Sequence, residues 1–458
     1  MAQTKSLYRC SGCGHETPRW QGKCLECDSW NALSVVSGAE TSYKISDVGS
    51  FAGRCLNLDE TGRGRGNRQP FPTDIAELDR VFSGGLLPGS VTLLGGEPGI
   101  GKSTLLLQIA ASVGKRISVL YASAEEGLNQ IALRAERLSL AGSGINLLHA
   151  SGIADILACA EEYAPELLIV DSVQTVFDES VNSASGSVAQ VRAVTEHLVR
   201  FAKGRETAVI MAGHVTKDGT LAGPKVLEHL VDTVVSFEGD RHHSLRVLTV
   251  LKHRFGTSGE AAIFSMSPEG LCEVLDPSGL MLADRCADVA GSVVVPVLEG
   301  QRSLLVELQA LVVKSTLTNP KRQVQGVAAS RLAIILAVLE QRVGCNFSSR
   351  DVFVSIVGGI KVSEPALDLS LALCLASAFY DVKVDPSLLA CGEVGLGGEV
   401  RQVAHPDKRF AEGSRLGFKK FIVPASDACN LEDRSNGDGV EIIGVATLGE
   451  ALRIIHMG

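Results

Sequence analysis

Residues 91–108 read VTLLGGEPGIGKSTLLLQ, and this stretch decides the fold. A β-branched and leucine run, a turn crowded with glycine and an apolar stretch of helical length follow one another without a break. Gly96-x4-Gly101-Lys102-Ser103 matches the P-loop pattern in the strand, turn, helix order that gives it a mechanism. Gly99 and Gly101 let backbone N–H groups converge on phosphate oxygens at a helix N-terminus. Lys102 is expected to reach the β and γ phosphates, and the Ser103 hydroxyl to ligate Mg2+. The expected ATP and Mg2+ cradle is thus Gly96, Glu97, Pro98, Gly99, Ile100, Gly101, Lys102, Ser103 and Thr104.

Working outward, a second carboxylate on the metal side is expected at the rim of another buried strand. Glu166-LLIV-Asp171-Ser172 supplies it, four apolar residues ending in Asp171. Between the two motifs lies ISVLYASAEEG (117–127), a strand followed by Glu125 and Glu126, one of which could polarise an attacking water. A third such strand, AVIMAGHVTKDG (208–219), ends near His214 and Thr216, where a polar group can sense a γ-phosphate. Taken singly, an Asp that ends a strand, a solvated Glu pair and a structural His fit the same residues. Order and spacing around the P-loop favour the site. Strands alternating with helices predict an α/β domain with a mostly parallel sheet over residues 71–270.

Upstream, Cys10-x2-Cys13 and Cys24-x2-Cys27 form two knuckles ten residues apart, the spacing of a four-thiolate tetrahedral Zn2+ site. Such a site has no open coordination position, so its metal folds the module, taken as residues 1–45, and does not catalyse. Trp20 and Trp30 fall in or beside it and are expected to supply its core. Residues 46–70, with Arg54, Arg63, Arg65 and Arg68 in or beside TGRGRGNRQP, read as a basic Gly/Arg linker. The eight other cysteines show no paired spacing and are expected to be buried thiols.

Downstream, residues 271–290 read as a connection. Strand-like SVVVPVL and LLVELQALVV, the helix SRLAIILAVLEQ, and VFVSIVGGIKV followed by a long Ala/Leu helix predict a separate α+β domain over 291–458.

The chain has 458 residues, about three domains' worth. With 45% hydrophobic and 21% charged residues it is neither disordered nor fibrous. Its longest apolar run, Leu332 to Leu339, is eight residues, far short of the roughly 18 a membrane helix needs. MAQTKSLYRC carries no apolar segment after its basic residues, so the expected compartment is the cytoplasm. The formal net charge of -9 argues at first against nucleic acid. Its distribution weakens that inference: 9 basic and 7 acidic groups in 1–70, 16 and 23 in 71–270, 18 and 22 in 271–458.

The zinc knuckles, AELDRVFSGGLLPGSVTLLGGEPGIGKSTLLLQ (76–108), LIVDSVQT, GHVTKDGTLAGPKVLEHLVDTVVSFEGD (213–240) and LKHRFG (251–256) together resemble the bacterial RadA (Sms) family over nearly the whole chain. The resemblance implies a RecA-like ATPase acting in recombinational repair, a hexameric ring that moves on single-stranded DNA, drives branch migration and works beside a RecA-type recombinase in the nucleoid. It makes Glu125 the catalytic glutamate. The family's Lys-Asn-Arg-Phe-Gly signature stands here as Lys252-His253-Arg254-Phe255-Gly256, with His in place of Asn. Lys252 and Arg254 would then reach the nucleotide of a neighbouring subunit, as an arginine finger does. Residues alone would make them a solvated strand end. The segment DESVNSASGSVAQVR (178–192) is the expected DNA loop, a mobile surface stretch being its plain alternative.

The last domain resembles the Lon protease domain. At the position of the Lon nucleophile stands Ala366, and Asp407 falls where its lysine would be. Ser363 and Lys408 lie nearby, but a one-residue helical shift turns a side chain by about 100°. The implied role is ring contacts and a DNA surface, with Lys321, Arg322, Arg331 and Arg350 as candidates. Two other readings remain at this level: an ATP-dependent protease, and a RecA-like signalling ATPase indifferent to DNA.

Overall fold

A computed structural model of the chain describes residues 7–11, 13, 15–17, 21–27, 29–30, 33–36, 69–214, 225–239, 245–286, 288–316, 319–435 and 439–456. The chain divides into two compact units, Met1–Gly66 and Asn67–Gly458. In the first, β1 (Leu7–Cys10) pairs antiparallel with β2 (Glu16–Thr17) and β3 (Leu33–Val36). Buried Cys10 and Cys24 form the centre of this small unit, with Cys27 packed on them. The tryptophan expectation is corrected here: Trp30 is 74% exposed, because the cysteines occupy the centre. Trp20, and the linker arginines Arg54, Arg63, Arg65 and Arg68, lie outside the described residues.

The second unit holds a parallel array of β4 (Val91–Gly96), β5 (Val119–Ser123), β6 (Ile145–His149), β7 (Leu167–Asp171), β8 (Ala208–His214) and β9 (Thr233–Glu238). Strands β10 (Leu245–His253), β11 (Ala261–Ser267) and β12 (Gly270–Glu273) extend it antiparallel. The resulting nine-stranded sheet has the order β12-β11-β10-β9-β4-β8-β7-β5-β6. Strands β4, β5 and β7 are buried throughout, which accounts for their unbroken apolar runs. Helices α1 (Lys102–Val113), α2 (Leu128–Arg137), α3 (Ile153–Tyr163), α4 (Val188–Arg205) and α5 (Lys225–Leu230) follow the strands. Leu105, Leu106 and Ile109 of α1 cover one face of the sheet, while Val191, Val194 and Leu198 of α4 cover the other. The segment read as a connection therefore begins inside this sheet, and also holds a short helix at Pro277–Leu282.

The α+β region is built on β13 (Ser292–Glu299), β14 (Arg302–Lys314), β15 (Arg322–Gln325), β16 (Arg350–Ile356), β17 (Leu388–Ala390), β20 (Lys420–Pro424) and β21 (Glu441–Val445), with β18 (Glu393–Val394) and β19 (Val400–Arg401) as a separate hairpin. Its sheet has the order β15-β16-β14-β13-β17-β20-β21. Helices α6 (Ala329–Val338), α7 (Leu367–Tyr380) and α8 (Pro406–Arg415) belong to this region. Helix α7 lies against β13 and β14, its residues Leu367–Ser377 buried, as its near-continuous Ala/Leu sequence requires. The expectation that the lone cysteines are buried holds for Cys345, Cys374 and Cys391 and fails for Cys272, Cys286 and Cys429, which are exposed.

Candidate functional site

Strand β4 delivers the loop at residues 96–101 to the carboxyl end of the parallel sheet, where α/β folds place ligands. Two glycines are required by the space there. A Cβ at Gly96 would lie 2.6 Å from the Phe237 carbonyl oxygen, and one at Gly101, where φ is +116°, 2.7 Å from Met266 Cε. Ser103 and Thr104 sit in the first turn of α1, half-buried, where hydroxyl and N–H groups meet an anion. Lys102 is buried, and its ammonium donates to the carbonyls of Gly96 (2.8 Å) and Glu97 (3.0 Å). Burial lowers its pKa, against the pull of Asp171 and Glu125, so those two carboxylates share its electrostatic neighbourhood.

Asp171 closes β7 in register with Ser123 of β5, and Tyr121 donates its phenol to Asp171 Oδ2 at 2.7 Å. The next residue, Ser172, is fully buried and donates its hydroxyl to Glu125 Oε1 at 2.5 Å. The two expected carboxylates are thus brought together beside Lys102. Glu126 turns elsewhere, into an ion pair with Arg134. Strand β8 ends at His214, whose backbone is in parallel register with Gly96, while its side chain and Thr216 lie outside the described residues. These residues, backbone amides with a lysine, a hydroxyl and two carboxylates, suit ATP and Mg2+ chemically. Sequence reasoning missed Arg246. It is buried on β10, and its Nε donates to the Ile100 carbonyl at 3.2 Å, bracing the loop from a strand 146 residues away. Only an arginine in a strand of alternating burial marked it.

Lys252 and Arg254 stand at the other end of the sheet. Strand β10 runs antiparallel to β9, with Lys252 opposite Val234 and His253 opposite Thr233, which in turn pair with Leu93 and Thr92 of β4. The Lys252 ammonium donates to the Glu228 carbonyl and, at 2.8 Å, to that of Val231. Arg254 pairs with buried Asp232 at 3.0 Å and donates to the His229 carbonyl. His253 meets the Thr233 hydroxyl through Nδ1 at 2.9 Å, and burial pushes its pKa down, so the ring is neutral at pH 7.

The segment 178–192 is a built loop. Gln190, buried at the start of α4, donates to the carbonyls of Asp178, Val181 and Ser183 and accepts from the Asp178 amide. From Val188 on the segment is helix, capped by Ser187. Among the surface cations of the last domain, Arg331 pairs with buried Asp368, Arg322 donates to the carbonyls of Lys321, Arg350 and Phe347, and Arg350 lies over the Phe379 ring. Each already has a structural partner. Ala366 is buried at the N-terminal end of α7, and Lys408 donates to the backbone carbonyl of Gln301 and to its Oε1.

In the N-terminal unit the four Sγ atoms of Cys10, Cys13, Cys24 and Cys27 lie within 4.8 Å of one another. The Cys10–Cys27 and Cys13–Cys24 separations are 3.5 and 3.6 Å, close to the roughly 3.8 Å edge of a tetrahedral zinc–thiolate centre. Hydrogen bonding with the side chain and backbone of Ser29 draws the Cys27 thiol down, while bonds from the neighbouring cysteines push the Cys13 thiol up.

This architecture has relatives. A protein of Bacillus subtilis named DNA repair protein RadA is 42% identical over 456 residues, covering 99% of both chains. The chain belongs to the RadA family. RadA proteins of Pseudomonas aeruginosa and Escherichia coli are 44% and 42% identical over 453 and 462 residues, covering 99% of both chains in the first case and 98% of both in the second. Three family models match parts of the chain: a rubredoxin metal binding domain at residues 8–34, an AAA domain at 70–220, and subunit ChlI of Mg-chelatase at 319–427. A solved ATPase domain superposes with a TM-score of 0.41 at 16% identity, over 47% of this chain and 95% of that one. As a RadA-family P-loop ATPase the chain takes ATP and Mg2+, and its four-cysteine ribbon takes structural Zn2+. Among the described residues no helix is long and apolar enough to cross a membrane.

Proposed function

We propose that this RadA-family ATPase acts in recombinational DNA repair as a homohexameric ring that moves on single-stranded DNA, drives branch migration and partners a RecA-type recombinase. The RadA name of its full-length relatives supports the repair role. The observation that carries the motor reading is the position of Lys252 and Arg254. Arg254 lies level with Val91, whose amide also bonds Asp232, and Gly96 is five residues further along β4, roughly 16 Å at strand rise. An arginine so placed cannot serve its own P-loop. Half-exposed at the rim, it suits the nucleotide site of a neighbouring copy, and hydrolysis then depends on assembly.

Bound at this site, Mg2+ would neutralise phosphate charge. The loop amides and Lys102 hold and orient the phosphates, Ser103 and Asp171 hold the metal side, and Glu125, fixed by Ser172, accepts a proton from the attacking water. Lys252 and Arg254 of the adjacent copy stabilise charge on the transferring group. DNA-dependent movement passes through the 178–187 loop, which begins six residues after Ser172.

ATP hydrolysis measured with and without single-stranded DNA over a salt series tests this. Stimulation by DNA is expected, with binding that falls linearly in log K against log salt. Hydrolysis indifferent to DNA, without salt-dependent binding, would leave the signalling-ATPase reading instead. The last domain is read as non-proteolytic, supported by Ala366 at the serine position and by the engagement of Lys408 with Gln301. ATP-stimulated casein digestion lost on Ser363→Ala would overturn that.

A further inference from the structure

Tyr121 is a polar residue in an apolar place. It sits on β5, 2% exposed, within the cluster formed by Leu94, Leu105, Leu106 and Ile169 under α1. Phenylalanine would fill the same space without burying a hydroxyl, and a buried hydroxyl costs free energy unless it is bonded. The bond it makes is to Asp171. Tyr121 is paired with Ile169 on β7, so its side chain leaves the same face of the sheet as Ile169 and Asp171, and its phenol reaches Asp171 Oδ2 at 2.7 Å.

We propose that Tyr121 is a positioning residue for the metal-side carboxylate: by engaging Oδ2 it fixes the carboxylate plane and leaves Oδ1 to serve the magnesium of the nucleotide complex. The proposal rests on the reading of Asp171 as the metal-side carboxylate. It assigns to a β5 side chain a role in metal affinity, distinct from phosphate binding, which belongs to the loop.

The affinity of a fluorescent ADP is measured with Mg2+ and with chelator, for the parent chain, Tyr121→Phe and Asp171→Asn. The Mn2+ electron paramagnetic resonance spectrum of each ADP complex is recorded alongside. Asp171→Asn is expected to abolish the gain in affinity conferred by Mg2+. Tyr121→Phe is expected to keep the metal-free affinity and to lose about tenfold of the Mg2+ gain, the size of one charge-assisted hydrogen bond, with an altered Mn2+ line shape. A Mg2+ gain in Tyr121→Phe within about twofold of the parent's overturns the proposal. So does an equal loss of metal-free and metal-bound affinity, which marks a packing role. If Asp171→Asn itself keeps the Mg2+ gain, the Asp171 reading falls, and the Tyr121 proposal falls with it.

Discussion

Gly101 shows how narrowly single positions are constrained. Its φ of +116° and the 2.7 Å approach of Met266 Cε to any added Cβ act together, so Gly101→Ala forces the loop and the Met266 side chain to move apart. A cost of about 1–3 kcal/mol in stability is expected, together with loss of nucleotide affinity, read by chemical denaturation and by fluorescent-nucleotide titration. Asp368 makes a different demand. It is fully buried at the start of α7, bonded by the Val394 amide and paired with Arg331, yet burial lifts its carboxyl to about 6. The folded state therefore holds this proton more tightly than the unfolded chain, and the group's contribution to stability is lost as pH rises from about 4 through about 6. The melting temperature of Asp368→Asn relative to the parent should accordingly climb over that window. A flat difference would show that Arg331 cancels the burial. Residues of this kind are only partly legible in sequence. The P-loop and the zinc cysteines announce themselves by local spacing. Tyr121 and Arg246 act across strands, through partners 50 and 146 residues away, and no local pattern carries that.

Secondary elements set which surface residues are available. A content of Ser, Gly and Asn predicts a mobile loop at 178–187, yet Gln190 binds three of its carbonyls from the first turn of α4. Composition reports the loop's own residues, whereas its order comes from one side chain in the following helix. Gln190→Ala removes one buried and two part-buried hydrogen bonds that tie the loop to α4, a loss of about 1–3 kcal/mol, and faster amide exchange over 178–187 is expected, with hydrogen exchange as the measurement. In the last domain Arg409 on α8, 1% exposed in its side chain, forms a two-point pair with Glu364, which also accepts from the Leu298 amide. Glu364 lies two residues before Ala366, so an ion pair braces the strand-to-helix turn where the Lon nucleophile would stand. Removing one partner as Glu364→Ala strands a buried guanidinium and should cost about 3–5 kcal/mol by denaturant unfolding. Arg322, Arg331 and Arg350, the candidate cations of a DNA surface there, are explained first by the carbonyls, carboxylate and ring they contact.

At the scale of the whole molecule the net charge of -9 and a DNA partner are compatible, because much of the excess acid falls in the 71–270 segment that holds the nucleotide site. The same scale decides how the finger is tested. In a single chain the P-loop and Arg254 lie at opposite ends of β4 and β9, so in the proposed ring each active centre would take its loop from one copy and its cations from the next. A Lys102→Ala chain has no working loop but keeps its finger, and an Arg254→Ala chain has the reverse. Each alone should hydrolyse ATP poorly even with DNA. Mixed in equal amounts before assembly, they place an intact finger beside an intact loop at about one interface in four for random arrangement. Hydrolysis should therefore recover to roughly a quarter of the parent rate and follow the product of the two fractions as the ratio is varied. A finger acting within its own chain predicts no recovery at any ratio. Because Arg254 also pairs with buried Asp232, Arg254→Lys serves as a control: it keeps a cation for that carboxylate but loses the two-pronged guanidinium. If Arg254→Lys folds and assembles like the parent and still hydrolyses slowly, the defect lies in the chemistry at the neighbouring site and not in the Asp232 pair.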